Sequence, residues 1–314
     1  MKRRRLPAVA ALGGGHGLYA SLSALRRVTD RLTAVVTVAD DGGSSGRLRE
    51  ELGCLPPGDL RMALSALCGD DTVGRSWTDV LQSRFEGEGP LAGHAIGNLL
   101  IAGTWQQLHD PVAGLDMVAG LLRTRGRVLP MALTPLNIEA DVIGLDPLHP
   151  DEMCTLVGQS TVAKTRAHVL GIRLVPADAP ACPEAARAIR EADFVVVGPG
   201  SWFTSVMPHL LVPELMDAIA GARQRILTLN IAPADETDGV SASRHIELLA
   251  EHAPRLRLDH VIADTDFAAT DPHLAGYVRS LGAQLVVADV AMRDGTARHD
   301  PLRLGAVYAE VMGL

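Results

Sequence analysis

A chain of 314 residues, 47% hydrophobic and 21% charged, can bury a sizeable core and has the composition of a soluble globular protein of one or two domains. Its formal net charge of −8 argues against a nucleic-acid partner. The apolar run behind the basic head Lys2-Arg3-Arg4-Arg5 breaks at Gly13, too early for a signal peptide or a spanning helix, so the expected setting is cytoplasmic with no membrane association.

In chain order, Pro7–Leu12 reads as a strand that runs into Gly13-Gly14-Gly15-His16-Gly17, and Leu18–Arg27 continues with helical spacing. A second apolar strand, Leu32–Val38, ends in Asp40-Asp41-Gly42-Gly43-Ser44-Ser45-Gly46-Arg47-Leu48, which reads as a flexible, hydrogen-bond-rich loop. Pro56-Pro57 is a stop, and Gly58-Asp59 reads as a cap before a helix over Leu60–Leu67. Helical patterns over Trp77–Phe85, Ala95–Leu108 and Val112–Arg123 make a passage longer than one crossover needs, which predicts a helical layer or lid beside the sheet. Val128–Val175 is broken by Pro, Gly and polar residues and reads as short strands of a small antiparallel excursion. The α/β rhythm then returns with a helix over Pro183–Glu191, a strand over Asp193–Val197 and the turn Gly198-Pro199-Gly200-Ser201. A helix kinked by Pro208 and Pro213 follows, then strands Arg225–Asn230, His260–Ala263 and Ala283–Ala288 with helices between them, and a closing helix over Leu302–Met312. No linker separates the halves. The expectation is one Rossmann-like α/β domain over residues 1–314, a mostly parallel sheet with flanking helices and a helical layer.

Strand, glycine turn, helix, strand, acidic turn is the order in which an open α/β sheet builds a nucleotide site. Gly13, Gly14, Gly15 and Gly17 let backbone N–H groups approach an anion at a helix start, where His16 is either a ligand contact or a plain polar residue. The run Asp40 to Gly46 offers Asp40 and Asp41 for hydroxyls or a metal, Ser44 and Ser45 for phosphate, and Gly42 and Gly43 for close approach. Gly198, Pro199, Gly200 and Ser201, followed by Thr204 and Ser205, repeat the phosphate-loop pattern; the plain alternative is a strand-to-helix turn. Asn98 stands among apolar residues and needs partners, so it braces a loop or reaches the ligand. Asp300 fits a helix cap, and Arg298 is placed to approach a diphosphate. Four scattered cysteines without CxxC spacing read as reduced thiols, and no His pair has metal spacing. There is no GxSxG and no Walker lysine, so the loops indicate binding more clearly than a reaction.

Taken together and in order, Gly13–Gly17, Asp40–Leu48, Pro56-Pro57-Gly58-Asp59, Ile96-Gly97-Asn98-Leu99, Gly198–Ser201 and Arg298-His299-Asp300-Pro301 resemble the YvcK family, the gluconeogenesis factors, within the CofD-like superfamily. The resemblance covers essentially the whole chain. It implies a cytoplasmic bacterial protein that binds a UDP-sugar, with UDP-N-acetylglucosamine the leading candidate, and that acts through a regulatory protein partner without an established reaction. It also implies a link to gluconeogenic growth, cell shape and peptidoglycan precursor supply. On this chain the glycine turn and Gly198–Ser201 would hold the diphosphate, Asp40 would sit near the nucleoside, and Arg298 would help hold the UDP-sugar. Asn230 and Asp59 join the expected ligand-binding set; no cofactor is required. The segment Asn230–Thr237 is one residue short of the family pattern, and the stretch from His260 to Arg298 is compressed. The other branch of the superfamily resembles 2-phospho-L-lactate transferase. That phosphotransferase alternative would need Mg2+, with Asp40, Asp41 and Asp59 as its carboxylates. A homo-oligomer is compatible with the fold.

Overall fold

The computed structural model describes residues 5–314, so Lys2, Arg3 and Arg4 of the basic head lie outside the described residues. The strands are β1 (Ala8–Gly13), β2 (Arg31–Val36), β3 (Arg127–Pro130), β4 (Asn137–Ile143), β5 (Cys154–Val157), β6 (His168–Val175), β7 (Phe194–Val197), β8 (Arg225–Thr228), β9 (His260–Asp264) and β10 (Gln284–Ala288). Seven of them pair in the order β10-β9-β8-β7-β1-β2-β3, each neighbour parallel. Helices cover the sheet, so its central strands are buried on both sides and read as continuous apolar runs such as Val9–Leu12 and Val195–Val197. From β1 the chain moves to β2 and β3; from β7 it moves the other way, to β8, β9 and β10. Strand order therefore reverses between β1 and β7, and an open α/β sheet has its crevice outside the carboxyl ends at that point.

The first helices are α1 (Gly15–Leu25), α2 (Gly43–Leu52), α3 (Gly58–Leu67), α4 (Thr72–Gln82), α5 (Ile96–Leu108) and α6 (Pro111–Leu122). The last three form the expected helical layer. Asp110 caps α6 by accepting from the N–H groups of Val112 and Ala113, with Pro111 at the first helical position. Two local expectations are corrected. The Asp40–Leu48 run is not a flexible loop: α2 begins at Gly43, because Ser44, Ser45 and Leu48 are buried and the two serine hydroxyls have partners inside the protein. Gly58-Asp59 is the first turn of α3 rather than a cap. Beyond β7 the kinked helix is a π-helical turn, Trp202–Val206, followed by two short helices that each start at a proline, Pro208–Leu211 and Pro213–Ala220.

The middle of the chain is an antiparallel sheet in the order β5-β4-β6. β4 alternates, with Ile138, Ala140 and Val142 buried in the same core as the large sheet and Glu139 and Asp141 turned outward to Arg173. All four cysteines are free. Among the described residues no helix is long and apolar enough to cross a membrane.

A closing helix, Pro301–Val311, packs on α1. Its Tyr308 is wholly buried, and the phenol bridges Ser21 Oγ at 2.7 Å and Thr228 Oγ1 at 2.9 Å, while Ser21 reaches the carbonyl of Gly198 at 3.3 Å. Tyr308→Phe leaves the Thr228 hydroxyl buried without this partner. It is expected to lower stability by about 1–3 kcal/mol in denaturant unfolding; an unchanged midpoint would mean the three hydroxyls do not tie α1 to β8.

Candidate functional site

The two glycine-rich turns meet at the carboxyl ends of β1 and β7. A Cβ on Gly17 would lie 2.3 Å from the Pro199 carbonyl oxygen and 2.6 Å from Gly200 Cα. Gly15 (φ 56°) and Gly198 (φ 70°) hold left-handed conformations that favour glycine. Beside this contact opens a cavity of about 850 Å³. His16 and Gly17 of α1, Arg61 of α3, Gln82 at the end of α4, Arg84 just beyond it, and Pro199–Ser201 form one part of its wall; Asn230–Ala234 and the stretch from Met292 to His299 form another. A smaller cavity of about 400 Å³ lies at the opposite pole, by the start of β1 and β2. Open α/β sheets bind at their carboxyl ends, so the larger cavity is the candidate site.

Its electrostatics are cationic. Arg61, Arg84 and Arg298 line it against a single carboxylate, Asp294, in a chain whose net charge is −8. The N-cap of α1, Gly14, has no side chain to offer, and His16 and Gly17 of the first turn line the cavity at the positive end of the helix dipole. His16 is exposed on the cavity side; partial desolvation there, with Arg298 and Arg61 nearby, lowers its imidazole below the usual range. Arg298 is exposed at the rim, and its guanidinium makes no hydrogen bond or ion pair among the described residues.

Beneath the turn, Asp59 accepts from the N–H of Gly15. It crowds Gly14 so closely that a Cβ there would sit 2.4 Å from the carboxylate oxygen. Although a partly accessible edge remains, this packing and the neighbouring Asp40 push the carboxyl up to about 7. Asp40 lies beside it, closing on Gly58 and accepting from the N–H of Gly42 at 3.0 Å, and is not on the cavity wall.

Several of the expected ligand residues have partners inside the protein. Asp41 accepts from the Ser160 N–H at 2.9 Å and from its hydroxyl, pinning the Gln159–Val162 turn. Ser45 accepts from the N–H of Gly58 at 2.9 Å. Ser44 contacts His94 Nδ1 at 3.0 Å and accepts from Asn98 Nδ2 at 3.0 Å. Asp41, Gly43 and Ser44 border a separate groove of about 550 Å³. Asn98 is thus a brace: its Oδ1 accepts from Arg61 Nε at 2.9 Å. The Gly198–Ser201 turn is likewise closed on itself. Asn230 accepts from the Gly200 N–H and donates to its carbonyl, both at 2.9 Å. The Ser201 hydroxyl donates to Glu236 at 2.7 Å and accepts from Thr204 at 2.6 Å, while Thr204 and Ser205 are buried in the π-helical turn. Pro199–Ser201 therefore shapes the wall, whereas the free amides belong to α1. Asp300 caps the closing helix.

Sequence reasoning missed Arg61, Arg84, His299 and Glu236. Arg61 stands two residues after Asp59, in the same first turns of α3, and that position was its one available signal. Glu236 is buried, accepts from Ser201 and from the Phe203 N–H at 3.1 Å, and has its carboxyl raised by burial. His299 is buried on the cavity wall, and burial pushes its imidazole down to about 4. Among the described residues no group of three or more His, Cys, Asp or Glu stands arranged to hold a metal ion.

The chain matches the family model described as 2-phospho-L-lactate transferase CofD over residues 9–299. It is 52% identical, over 304 residues, to a Mycobacterium tuberculosis protein named among the gluconeogenesis factors, covering 95% of this chain and 88% of that one. It is 34% identical over 312 residues to the gluconeogenesis factor of Listeria monocytogenes, covering 95% and 94%. A crystal structure of a UPF0052-family protein from Bacillus halodurans superposes with a TM-score of 0.84 at 31% identity, covering 97% of this chain and 99% of that one.

The Asp59 carboxyl at about 7 lies above the roughly 3.9 of an unfolded aspartate. The folded state binds the extra proton between those limits. Stability from this group is therefore full below about pH 4 and is lost as pH rises through about 7, on a scale of about 1.4 kcal/mol per unit of displacement. Denaturant unfolding at about pH 5 and about pH 7.5 is expected to show a steeper fall for the native chain than for Asp59→Asn. Equal slopes would assign the pH dependence to other groups.

Proposed function

The chain belongs to the CofD family and within it to the gluconeogenesis factors, and from that premise we propose that it is a UDP-sugar-binding regulatory protein. The observation that carries this reading is the first turn of α1, whose N-cap Gly14 offers no side-chain cap and whose His16 and Gly17 line a cationic cavity at the β1/β7 reversal. A diphosphate placed there meets the His16 and Gly17 amides, the positive helix end and the Arg298 guanidinium. The nucleoside and sugar then lie along the walls made by Asn230–Ala234 and Met292–His299. UDP-N-acetylglucosamine is the leading ligand. Both walls fall in the segments that depart from the family's pattern, so they are where sugar preference is set.

A regulator is favoured over an enzyme because the charged groups on the wall are chiefly guanidiniums suited to holding an anion, and among the described residues neither His16 nor His299 is hydrogen-bonded to a hydroxyl or thiol that it could activate. Such a protein acts in the cytoplasm through a protein partner, in gluconeogenic growth, cell shape and peptidoglycan precursor supply. A second reading, phosphotransfer of the 2-phospho-L-lactate transferase type, is supported by the matching family model and by the adjacent Asp40 and Asp59. Those two carboxylates alone are a sparse donor set for Mg2+, which would depend on substrate phosphates and water for its remaining ligands.

Thermal unfolding with UDP-N-acetylglucosamine, UDP-glucose, GDP, GTP and NAD, each with and without Mg2+, tests the reading. A UDP-sugar at a hundredfold excess over its dissociation constant is expected to stabilise the fold by about 2.7 kcal/mol, without Mg2+. Arg298→Ala is expected to weaken that binding about tenfold or more. A shift confined to guanine nucleotides with Mg2+ would overturn the regulator reading in favour of transfer.

A further inference from the structure

Arg61 is only 5% exposed, yet among the described residues it has no ion-pair partner. An arginine buried to this degree is ordinarily paired with a carboxylate, since an uncompensated charge in the interior is costly. Its polar contacts are all neutral: Nε donates to Asn98 Oδ1 at 2.9 Å, and Nη1 donates to the Leu81 carbonyl at 3.4 Å and to Gln82 Oε1. Three donors of the guanidinium fork are thereby used. Nη2 has no acceptor among the described residues and is not among the buried unpartnered atoms, and Arg61 lines the cavity, so this edge is the one left to it.

The fork is also held rigid. Gly97 packs on its stem so tightly that a Cβ there would lie 2.9 Å from Arg61 Cγ and Cδ. Asn98, which fixes Nε, is in turn held by Ser44, and Ser44 contacts His94. A guanidinium gripped on three sides loses little further freedom when an anion reaches the fourth. The nearby acids act on Arg61 through charge but form no ion pair with it: Asp59 is engaged with the Gly15 N–H and displaced toward its neutral form, and Asp40 accepts from the Gly42 N–H at 3.0 Å. Burial, with Arg84 beside it, lowers the Arg61 guanidinium to about 10, still charged at neutral pH. Its charge also reaches His16, which places it close to the first turn of α1.

We propose that Arg61 is a pyrophosphate-binding residue, its Nη2 edge receiving one phosphoryl group while the first turn of α1 receives the other. This deepens the UDP-sugar reading, on which the identity of the nucleoside rests, but the pyrophosphate assignment itself is independent of the base and the sugar. It makes Asn98 and Gln82 positioning residues and gives the site a preference for a diphosphate over a single phosphate.

The test is calorimetric titration of the full chain, as wild type, Arg61→Met and Arg61→Lys, with pyrophosphate, orthophosphate, UDP, UMP and UDP-N-acetylglucosamine, alongside ligand-free thermal midpoints. Pyrophosphate and UDP are expected to bind the wild type at least tenfold more tightly than orthophosphate and UMP. Arg61→Met is expected to lose at least tenfold in pyrophosphate affinity while its ligand-free midpoint stays equal or rises; Arg61→Lys keeps the charge without the fork and falls between. Unchanged pyrophosphate affinity in Arg61→Met, or no pyrophosphate binding by the wild type, would overturn the proposal. Ligand-free midpoints lowered in both variants would also overturn it, because the arginine would then be structural. Wild-type binding of pyrophosphate but not of UDP-N-acetylglucosamine would remove the UDP-sugar reading and leave Arg61 standing.

Discussion

Two stretches of backbone approach each other at the carboxyl end of the sheet with no side chain between them, and the arrangement of the site depends on that approach. Gly17 faces Pro199 and Gly200 at distances no Cβ would tolerate, and Gly14 lies on Asp59 in the same way. Parallel pairing of β1 with β7 sets where the two turns emerge, and reversal of strand order leaves a gap beside them. Side chains at these glycines would force α1 away from β7 and carry its amides out of the cavity. The Tyr308–Ser21–Gly198 hydrogen bonds fix the same approach from below, linking the closing helix to α1 and to the first residue of the β7 turn.

Charge is distributed around this contact in an unusual way for an interior. Arg61 and Asp59 are both desolvated and both displaced toward neutrality, the one downward and the other upward. They do not form a salt bridge that would cancel them. Each instead meets mainly neutral or backbone partners, so the region is held short of electrostatic compensation. The outer face of the small sheet is the contrast: Arg173 pairs with Glu139 and Asp141 in solvent, where such pairs contribute from nothing to about 1 kcal/mol. An incompletely compensated interior beside a cavity is where binding of an anion changes the energy most.

The sheet was legible in the sequence because strands buried on both faces are short unbroken apolar runs, and their turns are marked by glycine. The helical layer and the antiparallel excursion were legible from period and punctuation. Helix α2 was hidden, since Gly-Ser-Ser-Gly has poor helix propensity and only tertiary burial of Ser44 and Ser45 makes it helical. The functional residues divide along the same line. His16, Gly17 and Arg298 line the cavity, and their position in a strand–turn–helix unit or a recognised motif is readable from the chain. The internal partners of Ser44, Asp41 and Asn98 are not, because they stand 50, 119 and 37 residues away. Local composition says that a serine or an aspartate wants a partner; it does not say whether that partner is a phosphate or another part of the chain.

That distinction bears on how the site responds to what it binds. With Ser44, Ser45, Ser201, Thr204 and Asn230 already satisfied internally, few hydroxyls or amides remain to follow a ligand. The groups that remain are backbone N–H groups fixed by α1 and guanidiniums on the walls. An anion on the α1 turn sits above Asp59, whose carboxylate holds the Gly15 N–H from the other side. Negative charge there disfavours the ionised form of Asp59, so by linkage binding and protonation of that carboxyl favour each other. Arg61 acts in the opposite sense, since an anion on its free edge stabilises its charge. The same ligand therefore draws a proton toward one side of the turn and fixes positive charge on the other. Asn98 and Ser44 link Arg61 by hydrogen bonds to the groove beside α2, and Ser44 is in turn in contact with His94.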